Sequence, residues 1–201
     1  MSESTHAPIG STAPGRYGSG DSTLILGEAT IAAAWNIQGD GASPSFSTTV
    51  QRIAGVALPL APNTASRGTA AIALWLGPFS WLVARAAGPL GDFVHARDAL
   101  NAAGGALFDV SASRVAYVIA GTRAAEVLAA GCPLDLHPRA FGAGQCRQSL
   151  YGRVPALFYR HGEPPACTVL VARSLARDTW QTLCAASAPY GYTVRAPAIF
   201  A

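Results

Sequence analysis

The chain has 201 residues and a net charge of +3, enough length for one compact domain and too little charge for a nucleic-acid footprint. Its basic residues are all arginine, and the absence of lysine excludes both a Walker-type phosphate loop and a Schiff-base nucleophile. Charged residues make up 12%, about half the ~25% usual in soluble domains, so either partners cover part of the surface or an alanine-rich composition lowers the share.

Residues 1–22 are rich in Ser, Gly, Thr and Pro and hold almost no large apolar groups. Such a stretch cannot bury enough surface to offset its ordering entropy, and it reads as a disordered tail. The rest, 23–201, reads as a single domain. Leu24 to Ile37 is apolar with an ambiguous period. Ser43-Pro44 is a helix start, with Ser at the cap and Pro at the first helical position, and a helix is expected to about Ile53. Leu58 to Asn63 is an extended, proline-marked connector.

Ala71–Leu76 and Trp81–Ala84 are two strands around a Gly77-Pro78 turn, which makes a hairpin. A helix is expected from Gly88 to Ala103, stopped by Gly104-Gly105. Ala106–Val110 and Val115–Ile119 are further strands. Thr122 is read as the cap of a helix that ends at Gly131. Cys132 to Gly144 is a loop with two prolines. Gln145–Tyr151, Val154–Tyr159 and Cys167–Ala172 are strands, and Ser174 opens a last helix. Strands joined by short turns and followed by single helices predict an α+β fold of small antiparallel or mixed sheets backed by helices.

Cys132, Cys146, Cys167 and Cys184 fit neither a zinc spacing nor a C-x-x-C pair, so free thiols in a reducing compartment are expected. No run of 18 apolar residues offers a membrane span, and no basic segment precedes an apolar stretch at the N-terminus. A cytoplasmic protein, with no membrane or nucleic-acid partner, is the expectation. Cys132, Asp135 and His137 lie too close together for the separated ligand pairs of structural zinc. No G-x-S-x-G elbow is present. Asp109 and Asp135 sit where carboxylates commonly hold turn backbone. Arg139, Arg147, Arg153 and Arg160 gather around one region, as an anion site, an acidic-partner face or solvated loop arginines. No catalytic, cofactor or metal residue is expected.

Five strings carry a more specific signal: LWLGPFSWLVAR (74–85), ALFDVSASRVAYVIAG (106–121), TRAAEVLAAGCPLDLHPRAF (122–141), GQCRQSLYGRVPALFYR (144–160) and LVARSLARDTWQTL (170–183). In this order they resemble the gamma subunit family of heterotetrameric sarcosine oxidase. The GCPLDLHPRAF block is the most distinctive. A weaker resemblance, through Asp109–Ser111, a strand ending in glycine, a helix and Asp135-Leu136, is to the folate-binding domain of the glycine-cleavage aminomethyltransferase. That family keeps acidic residues where this chain has Gly152 to Leu157, a stretch without a carboxylate.

The resemblance implies a non-catalytic gamma subunit in a complex that oxidatively demethylates sarcosine to glycine. It implies alpha, beta and delta subunits as partners, with flavins, NAD and tetrahydrofolate carried by those partners. Alternatives are a gamma-like subunit of a related N-methyl amine demethylase and a free-standing folate-binding aminomethyltransferase-like protein. The expected partner interface is the Cys132–Phe141 loop, through Cys132, Pro133, Asp135, His137, Pro138, Arg139 and Phe141, with Trp81 as an aromatic anchor.

Overall fold

The computed structural model describes residues 12–21, 23–85, 92–162 and 166–199. In chain order the strands and helices are β1 (Gly15–Tyr17), β2 (Leu24–Thr30), β3 (Ala33–Gln38), α1 (Pro44–Ala54), β4 (Ala65–Arg67), β5 (Ala71–Gly77) and β6 (Ser80–Arg85). They continue with α2 (Phe93–Ala102), β7 (Ala106–Asp109), β8 (Arg114–Ala120), α3 (Ala124–Ala129), β9 (Cys146–Tyr151), β10 (Val154–His161), β11 (Ala166–Ala172), α4 (Ala176–Ser187), β12 (Tyr192–Val194) and β13 (Ala198–Ile199).

Two sheets form. The larger runs β1-β12-β2-β8-β11-β10-β9, with β13 also on β2, and the smaller runs β4-β5-β6-β3-β7. β2 pairs in parallel with β12 and β13; the other pairings are antiparallel. The sheets face each other. Side-chain alternation along each strand sends one face to the partner sheet and the other to a helix pair. On β6, Leu82 and Ala84 pack between the sheets, whereas Trp81 and Val83 pack with α1 and α2 residues such as Phe46, Val50 and Leu100. On β11, Leu170 lies between the sheets, and Val169 and Val171 join α3 and α4 residues such as Val127, Trp180 and Leu183. The result is four layers: α1 and α2, small sheet, large sheet, α3 and α4.

The two halves repeat a topology that the sequence does not display. β3-α1-β4-β5-β6-α2-β7 and β8-α3-β9-β10-β11-α4-β12 are each strand, helix, three-stranded meander, helix, strand. In each, the first strand pairs antiparallel with the third strand of the meander, β3 on β6 and β8 on β11. β7 closes the small half directly on β3. In the large half β2 is inserted between β8 and β12.

Helix ends follow local chemistry. α1 begins at Pro44 and stops at Gly55, whose φ of 71° is the left-handed C-terminal cap that glycine adopts without strain. Asp92 caps α2 by accepting from the His95 N–H at 3.1 Å. The expected helix over 88–103 is therefore found as Phe93–Ala102; residues 88–91 lie outside the described ones. Thr122 does not cap α3. Arg123 holds the cap position without a side-chain cap; its guanidinium donates instead to the Glu126 carboxylate at 2.7 Å.

The disordered tail expected over 1–22 is corrected at its C-terminal end. β1 pairs with β12, Tyr17 stacks on Tyr192 at 5.6 Å, and Thr12 Oγ1 accepts from Trp180 Nε1 at 2.9 Å. Composition misses this because the strand is edge-borne and ordered by its neighbour rather than by its own apolar content. Residues 1–11 and 22 lie outside the described ones.

Candidate functional site: a clamped loop and an apolar cleft

The 132–144 loop lies across the outer face of the large sheet, between α3 and β9. Cys132, Leu136 and Phe141 are buried in the core under it. Pro133, Asp135, His137, Pro138 and Arg139 are exposed. The polar side chains hold the loop itself: Asp135 Oδ1 accepts from the His137 N–H at 2.9 Å, and His137 Nδ1 accepts from the Arg139 N–H at 3.2 Å. Two arginines from the sheet grip the loop. Arg147 Nη2 donates to the Ala140 carbonyl at 2.6 Å, and its guanidinium sits 5.8 Å from the Phe141 ring centre. Arg160 Nη1 donates to the Leu136 carbonyl at 3.2 Å.

The structure thus brings the expected interface residues of this loop onto one segment but divides them. Five face solvent; Cys132 and Phe141 face inward and anchor. Trp81 is corrected. It is fully buried, tilted against Phe46 at 6.1 Å, with its Nε1 donating to the Pro59 carbonyl at 2.8 Å. Its neighbour Phe79, at the turn between β5 and β6, is 63% exposed instead. Strand parity gives the reason, because Trp81 shares the α1-facing side with Val83. The arginine group also separates: Arg139 and Arg153 are exposed, while Arg147 and Arg160 clamp the loop.

Beside the loop, a cleft of about 520 Å3 opens at one end of the large sheet. β2 contributes Ile25, the end of β8 Ala120, and α3 Ala124, Ala125 and Leu128. The loop adds Leu136, Pro138 and Phe141, and β10 and β11 add Arg160 and Cys167. The walls are apolar except for that guanidinium and two threonines, Thr23 and Thr122. Arg160 is the residue whose place the sequence did not give; its parity with the core residues Ala156 and Phe158 points it to this face.

Two buried thiols are poor nucleophiles. Burial pushes Cys146 up to about 11 and Cys167 up to about 12. On the inner face, His161 stacks on Tyr159 at 5.1 Å and shares a 2.8 Å hydrogen bond with Thr168. Burial first, then Arg67, lowers its pKa. Among the described residues no three His, Cys, Asp or Glu side chains gather to hold a metal ion, and no helix is long and apolar enough to cross a membrane.

The family model described as "Sarcosine oxidase, gamma subunit family" matches residues 38–189. The chain belongs to the sarcosine oxidase gamma subunit family. A relative named sarcosine oxidase subunit gamma, from Corynebacterium sp. (strain P-1), is 33% identical over 73% of this chain and 71% of its own length. Another of that name, from Arthrobacter sp, is 39% identical over 49% of this chain and 47% of its length, so the match spans about half of that relative. Among solved structures, heterotetrameric sarcosine oxidase from Corynebacterium sp. U-96, in complex with pyrrole 2-carboxylate, has a chain that superposes with a TM-score of 0.74 at 27% identity. That likeness covers 87% of this chain and 88% of the other. Glycine cleavage system aminomethyltransferase T from Bartonella henselae shares the fold, with a TM-score of 0.61 at 16% identity, over 88% of this chain and 48% of that one. The second resemblance read from the sequence is therefore one of architecture.

Gly152 to Leu157, the stretch without a carboxylate, forms the β9–β10 hairpin. Gly152, at φ 60°, makes the turn; Arg153 and Pro155 are exposed, and Ala156 and Leu157 enter the core.

Proposed function

We propose that the chain is the non-catalytic gamma subunit of a heterotetrameric sarcosine oxidase, supporting oxidative demethylation of sarcosine to glycine by larger flavin-bearing subunits. The observation that carries this reading is the joint match to the gamma family over residues 38–189 and to a chain of the solved heterotetramer over 87% of this one. Alpha, beta and delta subunits are its partners, the flavins, NAD and tetrahydrofolate reside on them, and the assembly is cytoplasmic. The exposed residues of the loop, Pro133, Asp135, His137, Pro138 and Arg139, supply a preformed contact surface, because their backbone is already fixed by local hydrogen bonds and entropy lost on docking is small.

Affinity purification of the full chain from its native host tests the proposal. The expected result is co-elution with larger, flavin-coloured chains whose mixture oxidises sarcosine, while the separated chain does not. Recovery of a colourless, partner-free protein under conditions that preserve the host's sarcosine oxidation overturns it. Assaying the same preparation with several N-methyl amines fixes the substrate.

A further inference from the structure

The cleft beside α3 has a chemistry that the packing of the fold does not use. Its volume, about 520 Å3, lies inside the ~300–1,000 Å3 range of small-molecule sites, which are mostly apolar with a few placed polar groups. Ile25, Leu128, Leu136 and Phe141 make it apolar on opposite walls. Among the described residues lining it there is one cation, Arg160, and no carboxylate.

Arg160 is half-buried at the end of β10. Its bond to the Leu136 carbonyl engages one N–H of a fork that carries five, and it fixes the guanidinium against the wall. A guanidinium held in place and partly withdrawn from water favours a planar carboxylate over any neutral acceptor. The Cys167 thiol on the same wall stays protonated and adds no competing anion. Thr122 supplies a hydroxyl.

We propose that this cleft binds a small carboxylic acid with an apolar body, the body lying between α3 and the 132–144 loop and the carboxylate resting on Arg160. All the lining residues come from this chain, so the isolated chain can be tested, although Pro138 also belongs to the proposed contact surface. Failure of the site would therefore leave the subunit assignment standing, and the reverse also holds.

Calorimetric titration of the full chain with octanoate, octan-1-ol and octylammonium tests it, with backbone amide shifts locating the bound ligand. Octanoate is expected to bind about tenfold more tightly than octan-1-ol, the factor that a hydrogen bond to a charged group supplies. Octylammonium is expected to bind more weakly than either. Arg160→Gln should bring octanoate down to the level of the alcohol, and Arg160→Lys should keep a preference for the acid. Ala125→Trp fills the cleft from α3 with Arg160 retained, and should abolish binding of both. Equal affinities of acid and alcohol for the unaltered chain overturn the proposal. So does the absence of octanoate binding, or octanoate binding that survives Ala125→Trp.

Discussion

The indole Nε1 of Trp81 donates to the Pro59 carbonyl across 2.8 Å, and both groups are buried. One residue thereby ties β6 to the connector after α1 and fills the space under Phe46. Trp81→Ala should cost about 3–5 kcal/mol, combining lost burial, a cavity and an unpaired carbonyl. Trp81→Phe keeps most of the volume and should cost about 1–3 kcal/mol, mainly for the orphaned carbonyl. Equilibrium denaturant unfolding checks both values. A surface anchor would behave otherwise, with stability unchanged and partner affinity lost.

Gly131 packs against the face of Tyr151, and the Tyr151 hydroxyl donates to the Val127 carbonyl at 3.2 Å. The Gly152 N–H also donates to the Gly131 carbonyl at 2.7 Å. The end of α3 is thus held to the β9–β10 hairpin at three points. A Cβ on residue 131 would meet Tyr151 ring atoms at 2.8, 3.0 and 3.1 Å. Gly131→Ala should destabilise by about 1–3 kcal/mol through that overpacking. It should also raise amide exchange in 132–144, the loop that begins at this point. A fully stable variant with unchanged exchange would show that the hairpin yields freely.

Elements bounded by glycine turns and confined to one sheet are the ones the sequence reveals. β5–β6 and the β9–β10–β11 meander appear where alternation and turn residues place them. β2 and β3 have an ambiguous period because both faces of each sheet are covered, so Ala33, Ala34 and Trp35 are buried in succession. β7 and β8 are neighbours along the chain, yet they belong to opposite sheets, separated by a 3-10 turn at Ser111–Ser113. β1, β4 and β12 are three residues each and owe their order to neighbours. In the site, the loop is legible from its prolines and glycines. The inward turn of Cys132 and Phe141, and of Trp81, is not, because it depends on which layer covers each face.

The imidazole of His161 faces Arg67 and Tyr159 in a largely buried setting, and burial first, then Arg67, hold its pKa below the ordinary 6.5. The folded state therefore favours the neutral ring. Its contribution is complete above pH 6.5 and is lost as pH falls toward the depressed folded value, because the unfolded chain takes up the proton first. His161→Gln retains an acceptor or donor for Thr168 and removes the titration. Thermal unfolding from about pH 7.5 down to about pH 5 should show the unaltered protein losing more Tm than the variant. Parallel curves would place the ring in a hydrated, unperturbed setting.

The cysteines provide the last test, because a hidden catalytic thiol would betray itself kinetically. The thiolate is the attacking form, and burial pushes Cys146 to about 11, Cys167 to about 12, and Cys184 upward. Cys132 is buried, while His137 is exposed with its Nδ1 occupied by the Arg139 N–H, so the two do not form a nucleophile–base pair. At about pH 8, a disulfide reagent should react slowly with the folded chain and titrate all four thiols once denaturant is added. Cys132→Ser should leave the slow native rate unchanged. One fast equivalent in the native protein, lost in Cys132→Ser, would mean that the loop opens and presents an activated thiol.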